Sequence, residues 1–362
     1  MKYQIGLLKE SEKLHFVALT PSGVSALVNN FDVFVENGAG DSVGYTNEMY
    51  KEAGATIIDK QQDVILKSDL VLSFNKTIKN EYLSRRRSFV GYYNVLNNSA
   101  NIIPFTHTIA DVYSLDLLPF TSDFNDLNLK LKITPILYDA IIESSTDYFI
   151  QQNEVFPRNK AALIIESGHT SLENVKKLLK EGYHLTVVGN NTLSQVEFEK
   201  IGIEYEKLSH LDLCEPNILS RSNGEKRCLS EIALYLTENV HRFDLIITDF
   251  IISGEKTPLL FHPLIYKNIK REAVLYDLSA PNFGNCSELK SEENGFKLFT
   301  LTEMLNHQGL NTSKILSEIY SSFLVRFVQE INEQFKNFLE DIKVVENGKI
   351  INKSLIREVN EM

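Results

Sequence analysis

Cysteine is scarce in this chain: three residues in 362, Cys214, Cys228 and Cys286. They are too few and too scattered for a disulfide framework or a zinc site. No window holds about 18 uninterrupted apolar residues, so no membrane-spanning helix is expected. The opening MKYQIGLLKESEK turns charged after a very short apolar run, which does not make a signal peptide. Positive charge is also in short supply. Lys and Arg number 37 against 48 Asp and Glu, a net charge of −11, which argues against duplex nucleic acid or an anionic membrane as a partner. The one basic cluster, Arg85-Arg86-Arg87, reads as a solvated polar turn. These absences together lead to a soluble protein of a reducing, cytoplasmic interior, with no nucleic acid partner and no membrane insertion.

What is present is ordinary for a globular protein: 43% hydrophobic and 23% charged residues. At roughly 100–200 residues per domain, the length predicts two domains. Apolar runs alternate with helical patterns. Gln4–Leu8, Asp32–Glu36, Ala55–Ile58 and Leu70–Ser73 read as strands. Pro21–Asn29 reads as a helix with Thr20 as N-cap and Pro21 in its first position, and Thr46–Ala53 as a helix capped by Thr46. The βαβαβ order predicts a doubly wound α/β domain with a parallel sheet. Lys132–Gln152 forms a long helical pattern, after which the alternation restarts. Ala162–Ile165, Leu185–Val188, Leu245–Thr248 and Ala273–Leu278 read as strands of a second parallel sheet. Ser313–Leu339 reads as one further long helix. The tail Lys343–Ile350 reads as strand, turn and strand, with Asn347-Gly348 as the turn.

The stretch AALIIESGHTSLENVKKLLKEGYHLTVVGNN, from Ala161, has the form of a dinucleotide-binding βαβ unit. Such a unit normally carries three glycines in its first turn and an acid at the end of its second strand, for the ribose. Here the turn is Glu166-Ser167-Gly168-His169-Thr170-Ser171, and the second strand ends Gly189-Asn190-Asn191. Ser167, Thr170 and Ser171 can donate hydrogen bonds to a pyrophosphate, and His169 can add partial positive charge. Glu166 would repel phosphate if it faced inward.

Four stretches resemble alanine dehydrogenase and the nucleotide-binding part of the NAD(P) transhydrogenase alpha subunit. They are IGLLKESEKLHFVALTPSGVSALV, VFVENGAGDSVGYTNEMYKEAGATII, DLIITDFIISGEKTPLLFHPLIYKNIKREAVLYDLSAPNFGNCSE and the terminal VVENGKIINKSLI. The ending YDLSAPNFGNCSE is closer to the transhydrogenase version. The resemblance implies two Rossmann-like doubly wound domains with parallel sheets, separated by a cleft and joined by long helices. Residues 1–135 with 310–362 would form a discontinuous substrate domain, and 136–309 the nucleotide-binding domain. It also implies a homodimer and a small-molecule substrate in the cleft.

The family's functional side chains are absent from their places. Its substrate-binding arginine falls on Phe16, which cannot make a bidentate carboxylate contact. Its lysine falls near Asn75, one place before Lys76. Its acid/base histidine falls on Asn94, which cannot shuttle a proton, and its aspartate falls on Pro281. The transhydrogenase loop that orders the nicotinamide falls on Phe120–Leu127, without the arginine or glutamine. Replacement polar groups are His15, Lys9, Lys76 and His107. The cofactor-binding candidates are Ser167, Gly168, His169, Thr170, Ser171, Gly189, Asn190, Asn191, Thr248 and Asp249. The uncharged strand end tolerates a 2′-phosphate, which tilts the expected dinucleotide toward NADP(H) over NADH. Asp277 and Asn285 match family positions and equally suit a loop-capping role, and Cys286 reads as a small packing residue. Two readings stand open: an atypical NAD(P)-dependent oxidoreductase acting on a small amino or keto acid other than alanine, and a non-catalytic binding or scaffold relative without a cofactor.

Overall fold

Alternation of short apolar strands with capped helices carries through most of the chain. The structure, a computed structural model, describes residues 2–76, 78, 86–106, 108–118, 123–152, 159–166, 171–189, 192–207, 225–251, 256–281, 284–287, 295–329, 332–352 and 355–356. Its contacts divide the chain into two units, Met1–Ile133 with Leu305–Met362, and Thr134–Met304.

The first unit opens with β1 (Tyr3–Leu7), α1 (Pro21–Leu27), β2 (Phe31–Glu36), α2 (Asn47–Glu52) and β3 (Thr56–Ile58). The hydroxyls of Thr20 and Thr46 accept the Gly23 and Met49 amides at the starts of α1 and α2, satisfying donors that a helix end leaves free. Next come α3 (Gln61–Lys67), β4 (Leu70–Leu72), β5 (Arg87–Gly91) and β6 (Ala110–Ser114). Sequence periodicity did not mark α3, β5 or β6, because each is short.

Helix α4 (Leu129–Gln151) leads into the second unit. There follow β7 (Ala161–Glu166), α5 (Leu172–Lys180), β8 (His184–Gly189), α6 (Thr192–Glu199), β9 (Glu204–Lys207), α7 (Glu225–Asn239) and β10 (Leu245–Asp249). Then come α8 (Pro263–Tyr266), β11 (Val274–Asp277), β12 (Lys297–Thr300) and α9 (Leu301–His307). The chain returns to the first unit with α10 (Gly309–Gln329), α11 (Glu333–Ile342), β13 (Lys343–Glu346) and β14 (Lys349–Ile350). The Ser313–Leu339 pattern is therefore two helices, not one. Asn332 is extended and its side chain accepts the Phe335 amide at 2.7 Å, starting α11 afresh.

The second sheet runs β12-β11-β10-β7-β8-β9, all parallel. The first runs β14-β13-β6-β5-β4-β1-β2-β3. Its six strands from β6 to β3 are parallel, and β13 and β14 are antiparallel additions at one edge. Asn347 (φ 48°) and Gly348 (φ 75°) make the tight turn of that edge hairpin. Counted by sequence within each unit, both parallel sets have the order 3-2-1-4-5-6. The reversal points lie between β1 and β4, and between β7 and β10. In open α/β sheets ligands are received at the carboxyl ends of the strands at such points. Among the described residues, no helix is long and apolar enough to cross a membrane.

The basic cluster is not a solvated turn as a whole. Arg85 lies outside the described residues. Arg86 pairs with Asp111 at 2.8 Å. Arg87 starts β5 and is 2% exposed; its guanidinium donates to the Ile65 and Leu66 carbonyls at 2.5 and 2.8 Å. These belong to the last turn of α3, where carbonyls lack helical partners and the helix dipole favours a cation. Arg87→Ala therefore uncovers two buried acceptors. It should lower the denaturant midpoint by an amount equivalent to about 2–4 kcal/mol, whereas Arg86→Ala should cost under about 1 kcal/mol.

Candidate functional site

In the second unit, β7 delivers Glu166 to the reversal point. Its side chain is 0% exposed, and Tyr205 on β9 donates its hydroxyl to Glu166 Oε1 at 3.4 Å. Gly189, the last residue of β8, lies directly against this pair. A Cβ on it would stand 2.6 Å from Tyr205 Oη, 2.9 Å from Glu166 Oε1 and 3.1 Å from the Glu166 carbonyl oxygen. The strand end that carries a ribose-binding acid in a dinucleotide fold is here a glycine, and the space beside it holds a carboxylate arriving from the neighbouring strand.

Ser171 is the N-cap of α5, and its Oγ accepts the Asn174 amide at 3.3 Å. Glu173 adds a negative charge in the first turn. One helix-start amide is thus already engaged, and the local charge disfavours an anion. Ser167, Gly168, His169, Thr170, Asn190 and Asn191 lie outside the described residues. Thr248 and Asp249 end β10, both buried. Thr248 Oγ1 donates to Asn285 Oδ1 at 2.7 Å. Asn285 also accepts the Phe250 amide and donates to the Phe250 and Pro258 carbonyls. Asp277 accepts amides from Ser279, Gly284 and Cys286, and burial pushes its carboxyl above the usual range. Asn285 and Asp277 are therefore engaged in holding the loop after β11. Cys286 is buried among apolar side chains, and burial pushes its thiol up, which is the setting of a packing cysteine.

In the first unit, Phe16 is fully buried and meets Phe74 edge-on at 5.0 Å; Phe74 stacks on Tyr92 at 5.4 Å. The place where the family arginine was expected thus belongs to an aromatic cluster. Asn94 adopts φ 51°, and its carbonyl closes a turn with Asn97 and Asn98. Where the nicotinamide-ordering loop was expected, Phe120–Ser122 lie outside the described residues. The residues that follow dock on the unit's own helices: Phe124 packs on Phe335 and Phe338, and Asp126 pairs with Arg326.

The structure brings Lys9 and Lys76 together. Glu36 Oε2 accepts the Lys9 amide at 2.8 Å and lies 3.6 Å from Lys76 Nζ, which also donates to the Lys9 carbonyl. His15 is exposed; its amide donates to Asn306 Oδ1 at 2.7 Å. His107 lies outside the described residues. Sequence reading missed Glu10 as the notable group here. It is 6% exposed, Oε1 accepts the Phe74 amide at 2.6 Å, and Oε2 has no hydrogen-bond partner. Burial pushes its carboxyl up to about 7, with Glu36 adding to the rise and Lys76 opposing it.

Comparison with known proteins supplies the family. Residues 6–129 match the profile for the alanine dehydrogenase/PNT N-terminal domain, and residues 161–358 that for the alanine dehydrogenase/PNT C-terminal domain. The first of the separate chains that make up the NAD(P) transhydrogenase subunit alpha of Rickettsia prowazekii is 21% identical over 99% of this chain and 98% of its own length. The alanine dehydrogenase of Bacillus subtilis is 25% identical over 77% of this chain and 71% of its own. Among solved structures, an L-alanine dehydrogenase superposes with a TM-score of 0.74 at 16% identity, covering 99% of each chain. The transhydrogenase of Sinorhizobium meliloti gives 0.71 at 16% identity, covering 96% of this chain and all of its own.

The geometry has two measurable consequences. Gly189→Ala should cost about 1–3 kcal/mol by overpacking, and Tyr205→Phe, which removes the closest atom, should recover part of that loss in the double variant, as read from unfolding midpoints. The folded chain also holds a proton on Glu10 between its ordinary value of 4.5 and about 7, which the unfolded chain releases. Glu10's contribution is therefore present below pH 4.5 and lost as pH rises toward 7. Unfolding midpoints of Glu10→Gln should show a flatter pH profile across that window than those of the wild-type chain. With two Rossmann-like parallel sheets and matches along most of its length, the chain belongs to the alanine dehydrogenase/PNT family.

Proposed function

We propose that this chain is a binding member of the family that has given up dinucleotide-dependent hydride transfer. The observation that carries the reading is the buried Glu166 carboxylate against Tyr205 and Gly189. A dinucleotide's ribose and pyrophosphate need an open strand end and free amides at the helix start. Glu166 fills the first of these with negative charge, and Ser171 occupies one of the second. Loss of the substrate-side groups accords with this, since Phe16 lies in a packed aromatic cluster and Asn94 closes a turn. A change of substrate alone would account for those two positions but not for Glu166. The family resemblance and the scarcity of cysteine support a homodimer in a reducing cytoplasm as part of the same reading.

A second reading, an atypical NAD(P)-dependent oxidoreductase acting on a small amino or keto acid, is favoured by one observation. The β7-α5-β8 unit and its reversal point are intact. In that reading Ser167–Ser171 would hold the pyrophosphate and the uncharged Gly189–Asn191 end would accept NADP(H). The cofactor would supply the hydride, with Lys9, His15, Lys76 and His107 positioning the substrate.

Calorimetric titration of the purified full chain with NADPH and with NADH separates the two. The binding-member reading expects no saturable heat up to about millimolar concentration, an affinity weaker than about −4 kcal/mol. Saturable binding of either dinucleotide at micromolar concentration would overturn it in favour of the oxidoreductase.

A further inference from the structure

The first unit holds a cavity of about 300 Å³ after the carboxyl end of β1, lined by Lys9, Glu10, Glu12, His15 and Asp41 among others. Its wall has three carboxyl side chains against one lysine. That lysine is already matched: a Cβ on Gly38 would stand 3.3 Å from Lys9 Nζ and 2.7 Å from Asp41 Oδ2, so these two groups converge over the bare Cα. The charge left without a counterpart on the wall belongs to Glu10 and Glu12. Among the described residues, no group of three or more His, Cys, Asp or Glu side chains is arranged to hold a metal ion.

Glu10 provides a second, independent observation. It is 6% exposed, and its Oε2 is buried without a partner. Leaving a buried acceptor unmade costs about 1–3 kcal/mol, more when it is charged. We propose that this cavity binds a small organic ammonium compound, with Glu10 Oε2 accepting one of its N–H groups and Glu12 and Asp41 lending negative potential at the wall. An anionic ligand is disfavoured, because the only lysine on the wall is matched by Asp41. The site stands on the first unit alone and does not depend on whether the second unit takes a dinucleotide.

Binding is then coupled to a proton. The groups facing Glu10 are the Phe74 and Asn75 amides, Lys76, Glu36, and the Tyr93 and Tyr320 hydroxyls. Lys76 favours the ionised form, while burial and Glu36 oppose it. An ammonium ion at Oε2 favours ionisation, so it binds more tightly as pH rises through about 7 and releases a proton on binding below that pH.

The test is titration of the full chain with propylammonium, propionate and 1-propanol, three probes of similar size and different charge, followed by protein-observed NMR. Propylammonium should bind saturably and the other two should not. Its affinity should fall at least roughly tenfold in Glu10→Gln, fall by a smaller factor in Asp41→Asn, and weaken from about pH 8 to about pH 5.5. Equal or tighter binding of propionate or propanol overturns the proposal. So does a propylammonium affinity unchanged by pH, or the lack of saturable shifts at the cavity residues with all three probes. If Glu10→Gln does not fold, the pH series and Asp41→Asn on the opposite side of the pair decide it.

Discussion

In a parallel sheet of order 3-2-1-4-5-6, the two strands at the reversal point end side by side and their loops leave in opposite directions. The topology fixes that opening, and the side chains at the strand ends decide what fills it. This chain has two such points. In the second unit the strand end is filled from within, by Glu166 of β7 packed against Tyr205 of β9. In the first unit an aromatic cluster of Phe16, Phe74 and Tyr92 packs close by, and a polar cavity lies beside β1.

The contrast between the units is chemical. Within the second, the polar groups at the strand ends are engaged with one another: Thr248 with Asn285, Asp277 with three amides, Ser171 with α5. Such satisfied networks hold loops in place and leave little capacity to bind anything else. Within the first, Lys9, Lys76 and Glu36 form a connected polar group, yet Glu10 retains an unmatched oxygen. Unmatched buried polar atoms are few in native proteins, and each calls for a reason. A ligand group is the reason offered for this one.

Much of the fold was legible in the sequence, because its signals are local. Thr20 before Pro21, Thr46 before α2, and Asn347-Gly348 in the tail each act within four residues of where they stand, and each appears as read. Elements with weaker local signals were missed. Arg87 looked like part of a charged turn because its partners, the Ile65 and Leu66 carbonyls, are more than twenty residues away. The α10–α11 break was hidden inside an unbroken apolar period, although Asn332 is a helix-capping residue type. At the site, the missing glycines and the missing acid were readable. Their joint meaning was not, because it depends on Tyr205 reaching Glu166 across Gly189. Glu10 was similarly hidden, since burial and an unmet oxygen are properties of the folded chain.

The most direct measurement of whether Glu166 closes the nucleotide site is a crystal structure of the chain grown in saturating NADPH, and a second in NADH. Glu166 is expected to remain buried against Tyr205 and Gly189 in both, with no dinucleotide density at the carboxyl end of β7. A pyrophosphate seated at the start of α5, with the Glu166 side chain turned away from Tyr205, would contradict that closure.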